Sequence, residues 1–161
     1  MLQSGLTKIS IFTVKTFYIP LLTLIRQTHG IKPYTYHQDM KGQYGDRGDT
    51  RQAFTFEKER FYSVSLHVRV NDPPEAANGF SRLYVDGQLI EQHENLRLRG
   101  SGGDASMINK FMFGSFHGGH EPDWAPRDEN GDYTTVYAYF DNISVYKDKH
   151  IRLAASSELP Q

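Results

Sequence analysis

Cysteine is absent from the 161 residues, which excludes disulfide frameworks, thiolate zinc sites, iron–sulfur clusters and cysteine nucleophiles. Its absence leaves the compartment open, because secreted proteins also occur without it. Net charge is nearly absent as well. Eighteen basic against nineteen acidic residues give a formal −1, so no whole-chain field draws the protein to nucleic acid or to an anionic membrane. No nucleic-acid partner is expected, and any basic site has to be local. Long apolar runs are missing too. Lys8 to Arg26 is apolar but interrupted by Lys15 and Pro20, too short and too broken for a membrane span. Lys8 and Lys15 ahead of Phe17 to Ile25 have the order of a secretory signal, yet no small-residue cleavage pattern follows and Arg26 does. Ile, Val, Thr, Phe and Tyr dominate this leader, and one or two strands are its simplest reading. A phosphate-binding glycine loop, an H-E-x-x-H pair and a G-x-S-x-G elbow are all lacking. Nucleotide, zinc-protease and serine-hydrolase chemistry are therefore without support, and neither a cofactor nor a metal is expected. No strand face carries a clear carboxylate pair for glycoside hydrolysis.

What the chain does have is aromatic side chains: ten Tyr, ten Phe and one Trp. Tyr and Trp offer an apolar face and a polar tip, which suits strands and also carbohydrate-binding surfaces. The size is that of one domain with one core.

After Tyr34 the sequence reads as strands separated by turns. "FYSVSLHVRV" alternates strictly, with Tyr62, Val64, Leu66, Val68 and Val70 on one face and Ser63, Ser65, His67 and Arg69 on the other. "FSRLYVDGQLI" predicts two strands joined by a type I′ turn at Asp86–Gly87. "NLRLR" sets Arg97 and Arg99 against Leu96 and Leu98. "INKFMFGSF" reads as a further strand. The Gly-, Pro- and Asp-rich stretch from Gly118 to Asp132 is too long for a hairpin loop and is a candidate functional loop. "YTTVYAYFDNISVY" closes the domain, with Val136, Ala138 and Phe140 alternating against Thr135, Tyr137 and Tyr139. No sustained helical periodicity follows Tyr34. An all-β antiparallel sandwich, each strand with one buried and one polar face, is the expected fold class. In that register Val64, Leu66, Val68, Val136, Ala138 and Phe140 are core, while His67, Arg69, Tyr137 and Tyr139 line the opposite face.

Three short motifs are discounted. Arg47–Gly48–Asp49 spells an adhesion tripeptide but lies in a Gly/Asp turn, and Asp128 to Asp132 has calcium-loop chemistry without EF-hand spacing. Asn142–Ile143–Ser144 is a glycosylation sequon inside an expected strand. What remains is a set of polar groups on strand faces: Ser65, His67 and Arg69; Arg97 and Arg99; Lys110, Ser115 and His117; Tyr137 and Tyr139. Basic and phenolic groups gathered without carboxylates suit an anionic ligand, although the outer face of any sandwich is polar by construction.

At "YHQDMKGQYGD", "HVRVND", "LYVDG", "FGSFHGGHEPDWAP" and "VYAYFDNISVY", in this order, the chain resembles polysaccharide lyase family 14, the alginate and glucuronan lyases. The resemblance covers about Tyr34 to Tyr146. It implies a β-jelly roll of two antiparallel sheets, and β-elimination on an acidic, uronic-acid polysaccharide outside the cell or at its surface. By the same resemblance Tyr137 and Tyr139 match the family's catalytic Tyr-x-Tyr pair. Ser115 matches its Ser, and His117 stands where the family places Arg. The family's Lys falls on Arg97, Arg99 or Lys110 without a unique choice, and His37 and Arg69 become further substrate-binding residues. A monomer without a cofactor is implied, organised as a divergent leader over 1–33, the lyase-like domain over 34–148 and a tail over 149–161. Family members carry further strands before the segment matching "YHQDM". The short leader here therefore suggests an N-terminal truncation or a degenerate relative. The alternative class is a carbohydrate-binding or cell-surface module that keeps the cleft and has lost the chemistry.

Overall fold

The computed structural model describes residues 8–9, 20–25, 30–57, 60–109, 111, 113, 122, 125–135 and 137–149. Among them the regular structure is strand apart from 3-10 turns at Asp104–Ser106 and at Pro122. The strands are β1 (Lys8–Ile9), β2 (Pro20–Ile25), β3 (Gly30–Thr35), β4 (Asp49–Thr50), β5 (Phe61–Tyr62), β6 (Val64–Arg69), β7 (Gly79–Val85) and β8 (Gln88–Leu96). β4, β8, β7 and β6 form an antiparallel sheet in that spatial order; β2 pairs antiparallel with β3, and β1 pairs parallel with β5.

The β7–β8 hairpin forms where Asp86–Gly87 predicts it. Both turn residues have positive φ, 47° and 77°, as a type I′ turn requires, and Val85 pairs with Gln88 across it. The Asp86 carboxylate also accepts the Ser63 N–H at 2.9 Å and the Arg60 guanidinium at 3.1 Å, tying the turn to the start of β6. Pairing of β6 with β7 then sets Val64 against Val85, Leu66 against Leu83 and Val68 against Ser81 on one face. The other face carries Ser65 against Tyr84, His67 against Arg82 and Arg69 against Phe80.

β3 lies against β7 and β8. It contributes Ile31 to a core of Tyr62, Val64, Leu83, Val85 and Ile90, with Phe54, Phe56 and Phe140 packed around it. Phe54, Phe56 and Tyr62 meet edge to face at centroid distances of 4.8 to 5.4 Å, the geometry that the ring quadrupoles favour.

Three expectations need correction. The polar face of β7 is not open: Phe80 is buried between the guanidinium groups of Arg69 and Arg82, 5.0 and 4.0 Å from its centroid, with the His67 ring on edge, and Tyr84 is buried as well. Flat cations and a ring stack closely enough to exclude water, so polar composition does not mean exposure. Leu66 and Val68 are half-buried where Val64 is fully buried, and Ala138 is exposed. Finally, the described residues from Tyr133 to Tyr146 form no strand of two or more residues. A period of two states which way side chains point, but a ladder also needs a hydrogen-bonding neighbour. Val136 and most of 110–121 lie outside the described residues.

Glycine is required at Gly48, where φ is +74° and a Cβ would stand 2.5 Å from the Gln92 carbonyl oxygen. That close approach lets β4 begin directly on β8.

Leu83 is fully buried at the centre of the core. Leu83→Ala is expected to cost about 2–5 kcal/mol, the range of cavity-forming Leu→Ala substitutions, measured by urea unfolding. A loss below about 1 kcal/mol would show that this face is not the core.

Candidate functional site

The core face of the sheet changes character along its length. Near the hairpin turn it is Val64, Val85 and Ile90; at the other end Ser81 pairs with His93, beside Glu91. β3 follows the same gradient, from Ile31 to Thr35 and then His37. Burying polar groups costs free energy unless they find partners, so this end of the sheet is where a ligand-related role is sought.

Thr35 and Asp46 exchange both backbone hydrogen bonds, at 2.8 and 2.9 Å, closing the loop 36–45. That bridge brings Asp46 to His37: Oδ2 and Nε2 are 2.8 Å apart, a hydrogen bond donated by the ring when Nε2 carries its proton. The His37 ring meets His93 on edge at 5.1 Å. His37 is 9% exposed, and the Nδ1 atoms of His37 and His93 are buried without a hydrogen-bond partner among the described residues. Burial pushes the His93 pKa below its ordinary value, helped by the neighbouring His37 and opposed by Asp46, Asp49 and Glu94. Next to it Glu91, 2% exposed, accepts the Thr50 hydroxyl at 2.8 Å and faces the Lys32 ammonium at 3.3 Å.

The arginines take separate positions. Arg97 grips the Asp39 carboxylate through Nε and Nη2, and its carbonyl accepts the Gln38 N–H at 2.8 Å, so it anchors the loop that carries His37. Arg97 holds the Asp39 carboxyl below its usual range, chiefly through that hydrogen bond. Arg99 is 9% exposed and pairs with Asp72, while its Nε donates to the Asn71 carbonyl at 2.8 Å. Asn71, fully buried, accepts the Arg99 N–H on Oδ1 and donates from Nδ2 to the Pro74 and Arg99 carbonyls. Arg99 thus shapes the 71–74 turn. Arg69 is exposed, donates to the Asn78 carbonyl and has no carboxylate partner among the described residues.

Of the residues singled out from sequence, His37 and Arg97 come together at one end of the sheet. Arg99 and Arg69 stand apart from them on their own partners. Tyr137 and Tyr139 are 60% and 43% exposed and make no hydrogen bond with a described residue. Phe140 turns instead toward Phe113 and the core, so the alternation read there survives at these three residues. Lys110, Ser115 and His117 lie outside the described residues. Sequence reasoning missed Asp46, His93 and Glu91. Asp46 sits in "GQYGDRGD", which reads as a mere turn, and His93 and Glu91 sit in a strand that reads as ordinary alternation. Tyr36 is a phenol near His37, but its hydrogen bond with Tyr34, then burial, push its pKa up, away from use as a base.

A sequence profile described as polysaccharide lyase 14 matches residues 27–143. No curated protein and no solved structure gave a match.

The Arg97–Asp39 pair has a consequence for acid stability. Because the folded carboxyl lies below its unfolded value of about 3.9, the pair contributes fully above that pH and is lost as pH falls through the lower folded value. Asp39→Asn is therefore expected to lose less stability than the wild type between about pH 5 and pH 3, as read by urea unfolding. Parallel curves for the two proteins would mean that the pair is too solvent-screened to matter.

Proposed function

Since the chain belongs to the polysaccharide lyase 14 family, we propose that it cleaves a uronic-acid polysaccharide of the alginate or glucuronan kind by β-elimination, on a jelly-roll sandwich, outside the cell or at its surface. The observation that carries the reading is the family match over residues 27–143, within which two exposed phenols stand two residues apart. In such a reaction the C6 carboxylate is neutralised so that the C5 proton becomes acidic. A base removes that proton, the C4–O4 bond breaks to leave a C4–C5 double bond, and an acid protonates the departing O4. Tyr137 and Tyr139 are assigned the proton transfers, one phenol as base and then acid and the other positioning the sugar. Ser115 and His117 complete the site by family position, with Lys110 among the candidates for its cation.

The described arginines divide under this reading. Arg97 and Arg99 already hold Asp39 and Asp72, and a substrate carboxylate would have to displace those partners. Arg69 is exposed with no carboxylate of its own, so it is the arginine assigned to the polymer. His37 serves at the polar end of the core face.

A second reading has its own support. Tyr44, Tyr133, Tyr137 and Tyr139 are all exposed, and exposed rings stack on sugar faces without any proton transfer. With Arg97 and Arg99 committed internally, a binding module that has lost turnover fits these facts.

Tyr→Phe variants separate the two, because they remove the hydroxyl and keep the ring. Tyr137→Phe or Tyr139→Phe is expected to lower turnover on alginate or glucuronan by about two orders of magnitude or more, followed by ultraviolet absorbance of the unsaturated uronate end, with oligosaccharide affinity little changed. Wild-type turnover in both variants would remove the tyrosines from the chemistry. Binding by the unmodified protein with no unsaturated product would leave the binding module standing.

A further inference from the structure

His37, Asp46 and His93 form a cluster of which the elimination reading uses His37 alone, as a residue that binds substrate. One nitrogen from each imidazole and one carboxylate oxygen lie within 4.8 Å of one another. The three come from separate pieces of chain, brought together by the Thr35–Asp46 bridge and by the Ser81–His93 register of the sheet. From this geometry we propose that His37, Asp46 and His93 bind a divalent transition metal of the zinc class, joining the loop 36–45 to strand β8.

Three observations carry it. First, His37 Nε2 already stands 2.8 Å from an Asp46 carboxylate oxygen, and the buried His93 Nδ1 has no hydrogen-bond partner among the described residues, a cost that native folds avoid unless something satisfies the lone pair. A metal ion satisfies such an imidazole lone pair directly. Second, the cluster carries its own negative charge in the Asp46 carboxylate, which the Thr35–Asp46 bridge holds against the rings. Third, the donor set of two imidazoles and one carboxylate is that of open, three-ligand zinc sites. It is poorly matched to calcium or magnesium, which take oxygen ligands. Zinc–nitrogen bonds of about 2.0–2.1 Å place neighbouring ligand atoms a little over 3 Å apart, so ligand atoms that lie within 4.8 Å of one another would close by at most about 1.5 Å. Three protein ligands leave a fourth position for water or an oxygen of a solute. The Asp46 side chain, 44% exposed, opens that position to solvent while His37 closes the inner side.

The proposal does not depend on the lyase reading, and zinc ion alone tests it. The full chain, stripped with a chelator and titrated with Zn²⁺ by calorimetry, is expected to bind one equivalent. Co²⁺ in its place is expected to give the visible absorption of a tetrahedral ion. His93→Ala and Asp46→Asn should each weaken binding at least about ten-fold with unchanged circular dichroism. His67→Ala, on the opposite face of the sheet, should leave it intact. The chain has seven histidines, so binding that survives both His93→Ala and Asp46→Asn would place the ion elsewhere and overturn the proposal. An absence of saturable binding would overturn it too. If His93→Ala does not fold, the exposed Asp46→Asn decides the matter.

Discussion

Pairing of β7 on both of its edges is the constraint from which the rest of the structure follows. β6 and β8 flank it, and the Asp86–Gly87 turn leaves β8 no freedom to choose its starting register. Once Val85 faces both Val64 and Gln88, Leu83 is carried to the centre of the core, and Ser81 is carried opposite both Val68 and His93. The apolar end and the polar end of one sheet face thus follow from the two-residue turn together with the register shift beside Leu83. β3 completes both ends, with Ile31 at one and the approach to His37 at the other.

The strands with a strong period of two or a defined turn were legible before any coordinates. The β6 alternation and the β7–β8 hairpin needed only the β-branched and aromatic residues and the Asp–Gly pair. What the sequence concealed has identifiable causes. Ile90 and Glu91 are consecutive yet both buried, which strict alternation forbids; the register shift beside Leu83 is the irregularity that accommodates them. Arg99 reads as a surface cation available to an anion, but a buried Asn71 and the Asp72 carboxylate absorb it, and no pattern in "NLRLR" announces those partners from 27 and 28 residues away. The outer face of a sandwich strand reads as polar, and the Arg–Phe–Arg stack buries Phe80 on it. Only side-chain length and planarity, not hydropathy, carry that information.

The candidate site illustrates the same division. The Tyr137 and Tyr139 pair was picked out by the family resemblance, while the period of two said only that both share a face. The His37, Asp46 and His93 cluster was not, because its members are local to nothing: a backbone bridge and a ladder register each supply one constraint. Such a cluster is invisible to motif search, and the burial of its nitrogens becomes apparent only when the chain is folded. The two groups also differ in setting. The tyrosine rings are exposed, whereas the histidines sit at the rim of the core.

Gly48 bears on a different question, the meaning of short matches. Arg47–Gly48–Asp49 would be returned by any scan for cell-adhesion tripeptides, which require a glycine flanked by opposite charges at the tip of a free loop. Here the glycine is explained by its left-handed φ and its contact with the Gln92 carbonyl, and Asp49 is already the first rung of β4 on β8. Asp49 is paired with Gln92 and the preceding Asp46 with Thr35, so both ends of the tripeptide are tied to neighbouring chain. The geometry of beginning an edge strand thus manufactures a recognition motif by coincidence, and assigning a receptor from those three letters would mistake carpentry for signalling.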